Sequence, residues 1–332
     1  MSDNFLVEQL FYNGTVTLVY DDFVHTYTVV EGEDRFIVPT ATGVCAMIAK
    51  DALVPWAAKM VTSFISEHSK WVDSFNDEND CYWQSKLEVT GVDSQETWDK
   101  FLQEAKTNFR KISEEALDVG SLAHAWLEEY TKAMIEGVEY NAPLPANDAA
   151  CRAITSALDW HAKHNFRPIA AEKKVYSREL NTAGTFDWIA FIDSCDDPKC
   201  CKIQFKDKLA LGDYKSSKAI YDEYKIQTAF YKFAVDEEKD FIDEGDTHIE
   251  ARVILRLGKS DGEFESMILM DEEDYQLDLE AFLGALKIYS WKEQNSLNNK
   301  AEKQRLKALK PKKTPVKRIK IPKVESIPVV NA

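Results

Sequence analysis

Two apolar stretches carry acid where a strand would tolerate it only with a partner. Asp187 sits within Phe186-Asp187-Trp188-Ile189-Ala190-Phe191-Ile192, and Asp213 follows Leu209-Ala210-Leu211-Gly212, just before Tyr214 and Lys215. Side chains alternate along a strand, so Asp213 and Lys215 share one face and Tyr214 takes the other. A carboxylate in a buried run is costly unless a cation or metal offsets it. Glu172, on the preceding apolar segment, is a further acid able to join them. Carboxylates from adjacent strands suit magnesium, which takes oxygen ligands. A lysine two residues after an acid can orient a water and stabilise charge. Phosphodiester hydrolysis needs charge neutralised on the phosphate, a water deprotonated near neutral pH and a nucleophile held in line. Asp187, Asp213, Lys215 and Glu172 are therefore expected to be the catalytic residues of a magnesium-dependent nuclease centre.

The elements that must position these groups follow from periodicity. Residues 1–40 form a β-hairpin region, with Val16–Tyr20, Thr26–Val30 and Arg35–Val38 as short strands between acidic turns. Residues 41–165 are helical, with a helix from about Thr42, one over 95–137 and one over 147–164. Pro55 either interrupts the first of these or opens a second, and residues 72–94 are polar and irregular. Residues 166–270 form the core. There 168–177, 184–193 and 209–215 read as three strands, 219–235 as a helix, and 247–258 with 263–270 as a closing hairpin. Residues 271–309 form a C-terminal helix with Tyr275, Leu279, Phe282, Leu283, Leu286 and Tyr289 on one stripe. Residues 310–332 form a basic flexible tail. The order helix, three strands, helix, strand predicts an α+β fold: a mixed central β-sheet flanked by helices, after a largely helical N-terminal half. On the helix over 219–235, Gln227 and Tyr231 lie one turn apart, so both can face the acidic centre.

Taken in order, Glu172, Gly184-Thr185-Phe186-Asp187, Asp213-Tyr214-Lys215 and Gln227-x-x-x-Tyr231 resemble the motifs of the PD-(D/E)XK nuclease superfamily. The branch they look most like is that of the RecB-type exonucleases, phage-encoded and mitochondrial single-strand exonucleases among them. Gly120-Ser121-Leu122-Ala123-His124 resembles the helix on which that branch carries a histidine. The likeness covers roughly residues 115–258, with a weaker echo in His25-Thr26-Tyr27 and Val38-Pro39-Thr40-Ala41-Thr42. It implies a restriction-endonuclease-like αβββαβ core. It implies that Asp187 and Asp213 bind metal with His124 as an extra ligand, that Lys215 is catalytic and that Glu172 supports the site. Gln227 and Tyr231 would orient the site or the DNA. The implied cofactor is Mg2+, or Mn2+ in its place. The implied activity is exonucleolytic hydrolysis of DNA in phage recombination, replication or host-DNA degradation. One departure is the long gap from Asp187 to Asp213, which contains Cys195-Asp196-Asp197-Pro198-Lys199-Cys200-Cys201. An insertion at a hairpin tip would leave the site intact.

The formal charge of the chain is -16, but it is unevenly spread. Residues 300–323 hold eleven of the 41 Lys/Arg and one of the 57 Asp/Glu, leaving a balance of -26 elsewhere. An acidic body with a basic tail points to a local nucleic-acid or partner contact; the resemblance implies DNA, with linear or single-stranded ends, and a recombination or replication partner met through the basic tail. No run of about 18 apolar residues occurs, so no membrane span is expected. With no signal-peptide pattern, the six cysteines read as reduced thiols of a cytoplasmic protein, the host cytoplasm if phage-encoded. The iron–sulfur cluster of some members of the resembled family takes one cysteine upstream and a trio after the core; no cysteine follows Cys201, so no cluster is expected here. Cys195, Cys200 and Cys201 suit zinc by type but have no fourth ligand at an obvious spacing. Two further readings compete with the nuclease: a catalytically silent nuclease-fold protein that binds DNA or a recombination partner, and an acidic DNA-mimic regulator.

Overall fold

Short β-prone runs broken by turn residues make the N-terminal region an antiparallel meander in the computed structural model. The structure describes residues 6–48, 53–76, 82–198, 200–238 and 248–309. The meander has four strands, one more than expected: β1 (Leu6–Phe11), β2 (Val16–Asp21), β3 (Thr26–Glu31) and β4 (Asp34–Val38), paired in that order. Phe11, Val16, Leu18, Tyr27 and Val29 are buried. Helix α1 (Ala41–Cys45) follows, capped by the Thr40 side chain on the Gly43 N–H. Helix α2 (Leu53–Glu67) has Pro55 in its first turn, where a missing N–H costs nothing.

Residues 72–94 are not irregular as expected. They lie largely in a hairpin of β5 (Ser69–Asn76) and β6 (Tyr82–Val89). Lys70, Trp71, Asp73 and residues 85–88 are exposed, Trp71 to 71%, so alternation over these residues produces no apolar face of the kind that marks a half-buried strand. Helix α3 (Gln95–Glu136) runs for 42 residues, about 63 Å at the α-helical rise. Ser94 and Thr97 form a capping box at its start, and Gly137, at φ 67°, ends it. Helix α4 (Asp148–Lys163) is capped by Asn147.

The core elements then follow: β7 (Arg167–Ala171), β8 (Lys174–Ser177), β9 (Thr182–Thr185), β10 (Trp188–Ile192), β11 (Lys208–Lys215), α5 (Asp222–Glu237), β12 (Ala251–Leu257), β13 (Phe264–Leu269) and α6 (Glu272–Leu309). Two of the expected strands, 168–177 and 184–193, are each broken in two. At Glu172 the backbone turns to φ 47° and leaves the sheet; β8 and β9 form a separate hairpin, and the chain re-enters after Asp187. Asp187 thus lies at a junction, not within a strand. The two breaks are stitched side by side by Glu172 N–H donating to Asp187 O at 2.9 Å and Phe186 N–H to Lys173 O at 3.3 Å.

The central sheet has the order β13-β12-β11-β10-β7. Its pairs are antiparallel except β11 with β12, which are parallel and joined through α5. Trp188, Ala190, Ile192, Ala210, Tyr214, Val253 and Leu255 pack on one face against Ala123, Leu127, Ile154 and Trp160 of α3 and α4. The opposite face meets α5, and Arg252 there donates to Lys225 O at 2.9 Å and to Asp278 of α6 at 2.8 Å. The described residues thus form a mixed α+β fold with several sheets and six helices. No helix among them is long and apolar enough to cross a membrane. Met1–Lys287 form one unit; the second, Ile288–Ala332, contributes the end of α6 to the described residues. The basic tail over 310–332 lies outside the described residues.

Candidate metal centre

The junctions at Glu172 and Asp187 sit at one end of the central sheet, where β10 and β11 pair Trp188 with Gly212. Asp187 accepts a hydrogen bond from the backbone N–H of Tyr214, and its other oxygen lies 3.4 Å from His124 Nδ1 on α3. Ligand atoms of His124, Glu172 and Asp187 all lie within 4.8 Å of one another. Two carboxylates and an imidazole converging from a helix and two chain breaks form a donor set that could hold a metal ion. Asp213 does not join this group of three. It is almost fully buried, and its carboxylate is closed on the Lys215 ammonium. Lys215 in turn donates to Gln227 Oε1 at 3.0 Å and lies 4.9 Å from the centre of the Tyr224 ring. Gln227 Nε2 donates to the Tyr231 hydroxyl at 2.7 Å and to Thr42 Oγ1 of α1 at 3.3 Å. All seven residues singled out in the sequence therefore stand in one neighbourhood, as a trio and an adjoining chain.

Alternation along β11 explains the division. Asp213 and Lys215 face α5, while Tyr214 faces α3 and α4, its hydroxyl 2.8 Å from His161 Nε2. The glycine of Gly184-Thr185-Phe186-Asp187 is required by closeness: a Cβ there would meet Tyr231 Cε1 at 2.5 Å.

The electrostatics are those of clustered acids beside an imidazole and an ammonium. Burial, then the charge of Asp187, pushes Glu172 up to about 8. Burial acts to raise Asp187 too, but the charge and hydrogen bond of His124, with Lys215 beyond, hold it below its ordinary value. Burial raises Asp213 despite Lys215. For His124 and Lys215 burial acts to lower the pKa, and the carboxylates outweigh it in both, so each is raised. Of the three, Glu172 lines a cleft of about 430 Å³ between the N-terminal meander and the core. Tyr20, Tyr27, Glu128, Glu172, Lys174 and Tyr231 are among its walls.

Sequence reasoning passed over Glu128, Thr42 and the contact of Tyr224 with Lys215. Glu128 had a signal, because it lies four residues after His124 and so on the same helix face. Thr42 stood only at the end of the weaker N-terminal echo, and tertiary packing alone brings it onto Gln227 of α5. The absence of an obvious fourth ligand for Cys195, Cys200 and Cys201 is also corrected: His164, at the end of α4, closes a second four-residue cluster with them. The sequence matches no family model and no curated protein.

Proposed function

We propose that this chain is a magnesium-dependent DNA exonuclease with a core like that of the PD-(D/E)XK nucleases. The observation that carries the reading is the meeting of His124, Glu172 and Asp187 beside the Asp213–Lys215–Gln227 chain, with Glu172 also lining a polar cleft. The topology supports it: antiparallel β7, β10 and β11 are followed by α5 and a parallel β12, an order compatible with αβββαβ.

His124, Glu172 and Asp187 would hold the ion, with Asp213 next to them. Bound there, a divalent cation would offset phosphate charge and lower the pKa of a water. Asp187 is ionised and ready to bind. Glu172 carries a proton through much of the neutral range and must release it to act as a ligand. Lys215 keeps its charge and is aimed by Asp213 and Gln227, so it can stabilise negative charge on a phosphate held beside the ion. Gln227 cannot turn freely, because Tyr231 and Thr42 accept its amide protons. Contacts of this kind act on the DNA backbone, so sequence preference should be weak.

The test uses end-labelled linear DNA and magnesium, with Lys215→Ala and Asp213→Asn variants alongside. Wild type should release nucleotides from linear DNA, spare closed circles and stop on chelation. Either variant should be slower by about 10²–10³-fold, the cost of removing one charge-stabilising group. Wild-type protein that leaves linear DNA intact in both magnesium and manganese would overturn the reading.

A further inference from the structure

The loop joining β10 to β11 gathers a second set of metal-binding side chains at the far end of the same strands. Ile192 pairs with Lys208 there, four residues from Trp188 and so about 14 Å along the strand from the first site. Cys195 Sγ and Cys201 Sγ lie 3.6 Å apart. His164 Nε2 is 3.3 Å from Cys200 Sγ and 3.5 Å from Cys201 Sγ. All four ligand atoms lie within 4.8 Å of one another, and Cys195, Cys201 and His164 are buried.

We propose that His164, Cys195, Cys200 and Cys201 form a structural zinc site. A tetrahedral zinc with bonds of about 2.3 Å to sulfur and about 2.0–2.1 Å to nitrogen sets its ligands about 3.8 Å apart between sulfurs and about 3.6 Å from sulfur to nitrogen. The observed spacings are close to the edges of that tetrahedron. They are too long for a disulfide, whose sulfurs sit about 2.05 Å apart. They are too close for an iron–sulfur cluster, which spreads its thiolates over several irons.

The surroundings are those of a ligand shell. His164 Nδ1 lies 2.8 Å from the Trp160 carbonyl, which must take its proton, so the bare Nε2 is turned to the sulfurs. The Cys195 backbone N–H donates to Cys201 Sγ at 3.3 Å, a contact that stabilises thiolate. Ser266 Oγ of β13 lies 3.0 Å from Cys200 Sγ. The backbone N–H groups of Cys200 and Cys201 both donate to Asp197 O, at 3.0 and 2.8 Å, which curls the loop around the site. Four ligands close the coordination sphere and leave no position for substrate, so the ion would staple the inserted loop to α4.

Metal analysis of the full-length protein, purified without chelator, tests the assignment without reference to DNA cleavage. About one zinc per chain is expected in wild type, and also in an Asp187→Asn/Asp213→Asn variant whose first site is crippled. Cys200→Ser and His164→Ala should each lose at least ten-fold in zinc content. Wild type loaded with cobalt should show thiolate-to-cobalt charge transfer and tetrahedral absorption, which requires no variant to fold. The proposal is overturned if wild type holds less than a tenth of an equivalent of zinc. Iron with acid-labile sulfide, a Cys195–Cys201 disulfide, or zinc lost from the Asp187→Asn/Asp213→Asn variant but kept in Cys200→Ser would equally overturn it.

Discussion

Lys215 is a half-buried ammonium whose charge survives because two carboxylates outweigh the cost of its desolvation. Its direction, however, depends on Gln227, a neutral group. Gln227→Leu should keep the charge and lose the aim. The expected result is cleavage slowed by about 10²-fold, the cost of misplacing a reacting group, with the magnesium dependence little changed. Single-turnover rates across a magnesium titration would measure both. A second residue, His161, governs acid stability. Burial holds its pKa down at about 3, and it is stacked on Phe166 at 3.9 Å. Its folded pKa is depressed, so the stability it protects is fully present above about 6.5 and is lost as pH falls toward 3. The slope cannot exceed about 1.4 kcal/mol per pH unit. Urea midpoints between pH 7 and 4 should fall less steeply in His161→Gln, which can bond Tyr214 but cannot titrate.

At the scale of elements, the centre is built where strands stop. Glu172 and Asp187 face each other because the chain leaves the sheet and returns, and a positive φ at a non-glycine residue is a cost accepted at that exit. The β8–β9 hairpin between them is held against α5 by the closeness of Gly184 to Tyr231. Gly184→Ala should therefore displace the Tyr231 ring, with overpacking costing on the order of 1–3 kcal/mol. Because Tyr231 accepts from Gln227, cleavage should fall as well. Thermal unfolding read beside the cleavage rate would check both effects; an unchanged rate would show that the Tyr231 contact does not transmit to Lys215.

Across the whole molecule, charge is the dominant feature. The formal -26 outside residues 300–323 repels a polyanion, and the eleven basic residues of that stretch offer a local counterweight. Deleting residues 310–332 removes seven Lys/Arg and one acid. If the tail holds DNA, the deletion should weaken binding and flatten the dependence of log K on log salt, by close to one unit of slope for each phosphate no longer neutralised. A fluorescence titration at several salt concentrations would show it. An identical slope with and without the tail would assign DNA binding to the cleft alone.

What the sequence by itself determined is what local period dictates. The pairing of Asp213 with Lys215 on one strand face, the i, i+4 relation of Gln227 and Tyr231, and the long helical patterns over 95–137 and 271–309 all follow from repeats of 2 and 3.6. The β5–β6 hairpin escaped because Lys70, Trp71, Asp73 and residues 85–88 are exposed, which leaves no apolar alternation there to read. Only the tertiary structure decided that the strands break at Glu172 and Asp187, that Thr42 reaches Gln227 across 185 positions, and that His164 turns toward thiols 36 and 37 residues away. Such meetings depend on how helices and sheet pack, and no local repeat encodes the distance between residues so far apart in the chain.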